Sequence, residues 1–141
     1  MASSWTPPPF GAPCWVNVPV TDMARAKSFY TKVFNWDIMP QPANLDEKQI
    51  VLFSFPKSDS GPNALCGSFE RVEASAHTKS DDGYKMYFMV EDDQKTAEAI
   101  VANGGAKLSD PVPEGDHGFI TQCRDSEGNG IGIYVMKKAC S

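Results

Sequence analysis

Histidine is nearly missing from this chain. His77 and His117 are the only two among 141 residues, and no His-x-x-x-His pair or comparable carboxylate set accompanies them. Compact metal motifs of that kind are excluded. There is no run of Lys or Arg, and the formal net charge is -5, so nucleic acid and anionic membranes are excluded as partners. No apolar stretch approaches the roughly 18 residues needed to cross a bilayer. The opening MASSWTPPPFGAP has neither a basic start nor an apolar core, so a secretory signal is not expected. Cysteine occurs four times, as Cys14, Cys66, Cys123 and Cys140, but never as CxxC. These read as reduced thiols of a cytoplasmic protein, with disulfide pairing as the lesser alternative.

What is present is ordinary for a globular protein: 41% hydrophobic and 22% charged residues. This length fits a single domain that buries about two thirds of its unfolded surface. An arm over residues 1–12, stiffened by Pro7 to Pro9 and anchored by Trp5 and Phe10, precedes a domain over 13–141.

Within that domain a pattern occurs twice. CWVNVPV alternates Val16, Val18 and Val20 against Trp15, Asn17 and Pro19, which predicts a strand. Thr21 or Asp22 then caps a helix whose Ala26, Phe29, Tyr30, Val33 and Phe34 make one apolar face. Pro40 and Pro42 end that section. KQIVLFSFP and ALCGSFERV read as further strands on either side of the turn SDSGPN. After a polar connector over 73–83 the pattern restarts. YKMYFMV is a strand and Glu91 to Asp93 a cap region. QKTAEAIVANGG is a helix closed by Asn103, Gly104 and Gly105, and GFITQCRD and IGIYVM flank the turn SEGNG. Setting Val20 on Val90 places Asp22 on Asp92. The prediction is an α+β fold of two βαβββ modules, over about 13–72 and 84–138.

This organisation resembles the vicinal oxygen chelate superfamily, which includes glyoxalase I, extradiol dioxygenases and bleomycin-resistance proteins. VPVTDMARAKSFYTKVFNW is similar to the family's opening strand, Asp, helix and Phe-Tyr. RDSEGNGIGIYV is similar to its closing Asp-x-Asp/Glu-Gly-Asn before the last strand. PCWVNVPVTD looks closest to glyoxalase-like domains that often occur in tandem. The resemblance implies modules whose mixed sheets curl around a cleft. In metal-using members four side chains from the first and last strands of each module line it, usually His or Gln and Glu, a set that suits a six-coordinate ion.

Carried over one by one, those positions are Trp15, Lys85, Gly132 and, within a residue or two, Cys66. Indole cannot ligate, an ammonium opposes a cation and Gly offers no side chain. A lone thiolate does not hold a divalent ion in such a setting. The expectation is a member with no metal and no cofactor. His77 reads as a solvated loop residue. His117, at the entrance to a strand, reads as a surface histidine or as a functional one on the cleft rim.

Period two also assigns faces. If Trp15 faces the cleft, so do Asn17 and Pro19, with Lys85, Tyr87 and Met89 on the fifth strand and Gly130, Gly132 and Tyr134 on the last. Cys66, Ser68 and Glu70 line the fourth strand. The opposite sets are uniformly apolar. Flat aromatics with few polar groups suit a small apolar or aromatic ligand, for which the glycines leave room. Trp15 reads equally as core filler, and Lys85 as an exposed lysine beside the acidic connector. Cys66 and Cys123 read as small buried hydrophobes.

Two functions of different class follow. One is a bleomycin-resistance-like protein that binds a small apolar or aromatic metabolite without metal. The net charge suits a cationic ligand, whereas Lys85 suits an anionic one. The other is a cofactor-free isomerase, cyclase or lyase using Lys85, Tyr87 or His117 in acid–base work. A metal-dependent lactoylglutathione lyase is a third alternative, against which the missing ligands speak. The expected partners are a small-molecule ligand and a second copy of the chain, as a homodimer.

Overall fold

The computed structural model describes residues 9–10, 12–56, 65–78 and 83–137. The chain divides into two compact units, one running to His77 and one beginning at Thr78. The architecture is α+β, with one four-stranded and one five-stranded mixed sheet. Trp5, Cys140, most of the arm and the turn SDSGPN lie outside the described residues. Phe10 does not anchor the arm: it is fully exposed, beside a turn closed by the Ala12 N–H donating to the Pro9 carbonyl at 3.0 Å. Among the described residues no helix is long and apolar enough to cross a membrane.

The first unit contains β1 (Trp15–Val20), α1 (Met23–Phe34), β2 (Asp37–Ile38), β3 (Ile50–Ser54) and β4 (Cys66–Arg71), then a short 3-10 turn at Ala74–Ala76. Its strand order is β1-β4-β3-β2. β1 runs parallel to β4, which the helical crossover requires, and the remaining pairs are antiparallel. Asp22 is the N-cap of α1; its carboxylate accepts the Arg25 N–H at 3.0 Å. The helix ends at Asn35, whose φ of 59° is left-handed, a conformation that Asn tolerates better than most side chains. That turn delivers Trp36 into the core. Its indole stacks on Tyr30 at 4.1 Å and on Phe53 at 4.4 Å, with Phe69 4.7 Å from Phe53. Val18, Val20, Ala26 and Phe29 complete this aromatic core. Gly67 belongs to it by necessity: a Cβ there would stand 2.0 Å from the Val16 carbonyl oxygen and 2.7 Å from the Phe53 ring.

The second unit repeats the plan with β5 (Met86–Val90), α2 (Asp93–Ala102), β6 (Ala106–Lys107), β7 (Val112–Glu114), β8 (Gly118–Arg124) and β9 (Gly130–Met136). Its order is β5-β9-β8-β6, with β7 also pairing β8, and β5 is parallel to β9. Asp92 caps α2 as Asp22 caps α1, accepting the Lys95 N–H at 3.0 Å. The core here is smaller and mostly aliphatic: Ala97, Ile100, Ile131 and Ile133, with Thr121 and Cys123. The tight turn after β8 is held by Asp125, whose carboxylate accepts the Glu127 and Asn129 N–H groups at 2.8 Å each.

Candidate functional site

Each sheet has one face packed on its helix and one turned away from it, and residue parity decides which side chains each receives. In the first unit, β1 directs Val18 and Val20 into the core and leaves Trp15 and Asn17 on the other side. The ladder pairs Trp15 with Cys66 and Asn17 with Ser68, so these four stand together. Trp15 is 48% exposed, which rules out a core-filler role. Its indole Nε1–H donates to the Ser68 hydroxyl at 3.2 Å, and Ser68 is only 1% exposed. The Asn17 amide donates to a Glu70 carboxylate oxygen. Cys66 is half-buried and free, as are Cys14 and Cys123 by bonding state.

In the second unit, Tyr87 and Met89 are exposed on β5, with Met86, Phe88 and Val90 on the opposite side. Gly132 of β9 pairs with Tyr87 on one flank and with Gln122 of β8 on the other. The space above Gly132 is not left for a ligand, as the sequence suggested. The Tyr87 ring fills it: a Cβ on Gly132 would stand 2.3 and 2.4 Å from two carbons of that ring. The Lys85 ammonium is half-buried and donates to the Gln122 side-chain oxygen at 2.8 Å. Further along, the Tyr134 hydroxyl donates to Glu114 at 3.4 Å. Burial, then the Glu114 charge and this hydrogen bond, push the Tyr134 phenol above the usual tyrosine value.

His117 does not join this group. It is exposed in the turn between β7 and β8, where its N–H donates to the Glu114 carbonyl at 3.1 Å. It lies five residue steps from Gln122, about 16 Å at the usual strand rise. His77 is half-buried at the end of the 3-10 turn rather than fully solvated. Cys123 is buried, and burial raises its thiol above the ordinary value, with nearby Lys107 acting the other way. It is an inert core residue, as its pattern predicted.

The ladders also refine the set of positions at which the resemblance implies metal ligands. Asn17 pairs with Ser68 as Tyr87 pairs with Gly132, so Ser68 rather than Cys66 is the counterpart of Gly132. The four positions therefore carry an indole, a buried hydroxyl bonded to that indole, an ammonium and a glycine roofed by a phenol ring. Hard divalent ions take carboxylate and imidazole donors, and these side chains do not fit one. Among the described residues no group of three or more His, Cys, Asp or Glu is arranged to hold a metal ion.

Residues 14–133 match the Glyoxalase/Bleomycin resistance protein/Dioxygenase superfamily. This chain belongs to that superfamily. A glyoxylase-like domain-containing protein of Didymella fabae is 30% identical over 116 residues, covering 81% of this chain and 85% of the relative. The Mycobacterium bovis protein CFP32 is 24% identical over 138 residues, covering 91% of this chain; the chain spans about half (47%) of that longer relative. Among solved structures, the fosfomycin resistance protein FosX of Listeria monocytogenes superposes with a TM-score of 0.67 at 11% identity, over 89% of this chain and 91% of that one. At that identity the likeness is one of fold. The repeated strand, helix and closing parallel pair described above are consistent with that fold.

Gln122 and Glu114 escaped the sequence reading. Their signal is parity in β7 and β8, but it becomes usable only once the register of the β8–β9 hairpin is known.

Proposed function

We propose that this glyoxalase-like protein works without a bound metal or cofactor and holds a small apolar or aromatic metabolite on its open strand faces. The observation that carries the reading is the donor set. Trp15, Ser68, Lys85 and Gly132 fall at the positions where the resemblance implies ligands in metal-using members, with Ser68 and Gly132 matched through the strand pairings. What those positions and their neighbours offer instead is ring surface, from Trp15 and the half-exposed Tyr87. Aromatic side chains bury large apolar areas and suit a flat partner. The same donor set argues against a metal-dependent lactoylglutathione lyase. The distance of His117 from Lys85 along β8 removes His117 as an acid–base partner of Lys85, so a cofactor-free isomerase, cyclase or lyase would have to work with Lys85 and Tyr87. Residence in the cytoplasm and assembly as a homodimer belong to this proposal; light scattering at micromolar concentration tests the latter.

Metal analysis of the purified protein, with chelation and readdition, tests the first half. A stoichiometric ion whose removal abolishes function refutes it. Incubation with a metabolite extract followed by mass spectrometry tests the second. A compound retained unchanged supports binding, with loss of retention in Trp15→Ala or in Tyr87→Ala according to which unit's face holds it. A compound converted to product, with conversion lost in Lys85→Met, overturns it in favour of catalysis.

A further inference from the structure

The open face of the second unit is polarised. Lys85 lies at one end of it, bonded to Gln122, and Glu114 lies at the other, bonded to Tyr134. An ammonium only donates hydrogen bonds, so its contact with Gln122 commits the amide oxygen. The remaining N–H groups of Lys85 and the NH₂ of Gln122 gather donors at this corner.

That corner is held in place. The Gln122 N–H donates to the Ser109 hydroxyl at 3.0 Å, and its carbonyl accepts the Leu108 N–H at 2.8 Å. It also adjoins an aromatic ring on this face. Tyr87, Gly132 and Gln122 form one row across β5, β9 and β8, about 10 Å wide at the usual strand spacing. The Tyr87 ring lies over the middle member. Glu114 pairs at Gly118, four residues from Gln122 along β8. That is about 13 Å, beyond a Debye length of roughly 8 Å at physiological salt, so its charge does not cancel that of Lys85.

We infer that the second unit selects a planar aromatic carboxylate, with the ring system against Tyr87 and the carboxylate received by Lys85 and Gln122. This rests on the binding function proposed above and names the class of ligand. It resolves the conflict between an acidic chain and a cationic site residue, because the local donors and not the net charge face the ligand.

Calorimetric titration with naphthoate and with the matching naphthalene carboxamide tests it, in the native protein and in two variants. The native protein should prefer the acid by roughly ten- to hundredfold, the range for a hydrogen-bonded charge. Lys85→Met should remove that preference by weakening the acid more than the amide. Gln122→Glu keeps the shape and sets a carboxylate beside Lys85; it should reverse the preference, and it decides the matter if Lys85→Met fails to fold by circular dichroism. Equal affinity of the native protein for acid and amide overturns the carboxylate assignment while aromatic binding stands. A preference that survives both variants also overturns it. Binding of neither compound overturns the assignment together with the function on which it rests.

Discussion

Two strand glycines, Gly67 and Gly132, should respond in opposite ways to the addition of one methyl group. At Gly67 the new Cβ of Gly67→Ala would stand 2.0 Å from the Val16 carbonyl oxygen and 2.7 Å from the Phe53 ring. Non-bonded heavy atoms prefer about 3.5 Å, so β1 and β4 must part by more than about 1 Å. Phe53 cannot yield instead, since it is fully buried and stacked on Trp36. Overpacking of a well-filled core costs about 1–3 kcal/mol, and a displaced backbone puts Gly67→Ala at or above about 3 kcal/mol. At Gly132 the obstacle is the Tyr87 ring alone, and that side chain is half-exposed and free to rotate outward. Replacing Gly also lowers unfolded-state entropy by about 0.5–1 kcal/mol, which offsets the ring's displacement. Gly132→Ala should therefore remain within about 1 kcal/mol of the native protein. Urea unfolding followed by far-ultraviolet circular dichroism reads both, as a shift in midpoint at unchanged slope. For a chain of this size the loss at Gly67 corresponds to a melting temperature lower by about 10 °C. A Gly67→Ala protein as stable as the native one, or less perturbed than Gly132→Ala, would refute the packing argument.

Asp22→Ala and Asp92→Ala each remove the side-chain acceptor at a helix start and should each cost about 1 kcal/mol in the same assay; a cost at only one of them breaks the equivalence of the two caps. The Tyr134 phenol titrates above its ordinary value, so the folded state holds that proton more tightly than the unfolded chain does. Its stabilising contribution is complete below about pH 10, the unfolded value, and is lost as pH rises through the folded one. Glu114→Gln should move the tyrosinate absorbance transition of Tyr134 down towards pH 10, and an unchanged transition in a Tyr134-selective difference titration sinks the assignment.

The faces of the central strands were legible because period two and branched apolar residues coincide: Val18, Val20, Ile131 and Ile133 could be assigned inward without knowing any partner. The caps were legible to within a residue or so, as Thr21 or Asp22 and as Glu91 to Asp93, since capping chemistry is local; the structure selects Asp22 and Asp92. Trp36 was not. Its place at the centre of the aromatic stack depends on a left-handed Asn35, which no periodicity reveals. The occupation of Gly132 by Tyr87, the bond from Lys85 to Gln122 and the distance from Lys85 to His117 all depend on cross-strand register. Register is set by pairing over long separations. The short β2, β6 and β7 were likewise missed, because two or three residues carry too little pattern.

The aromatic stack has a practical consequence for experiment. Every tryptophan in the chain, at positions 5, 15 and 36, precedes residue 78, the first residue of the second unit. Every indole therefore belongs to the first unit, with Trp36 in its interior and Trp15 on its exposed strand face. The second unit carries no indole of its own, and amide exchange or phenol absorbance has to follow it. Disagreement between indole emission and that second signal during denaturation would measure how far the repeated halves melt apart.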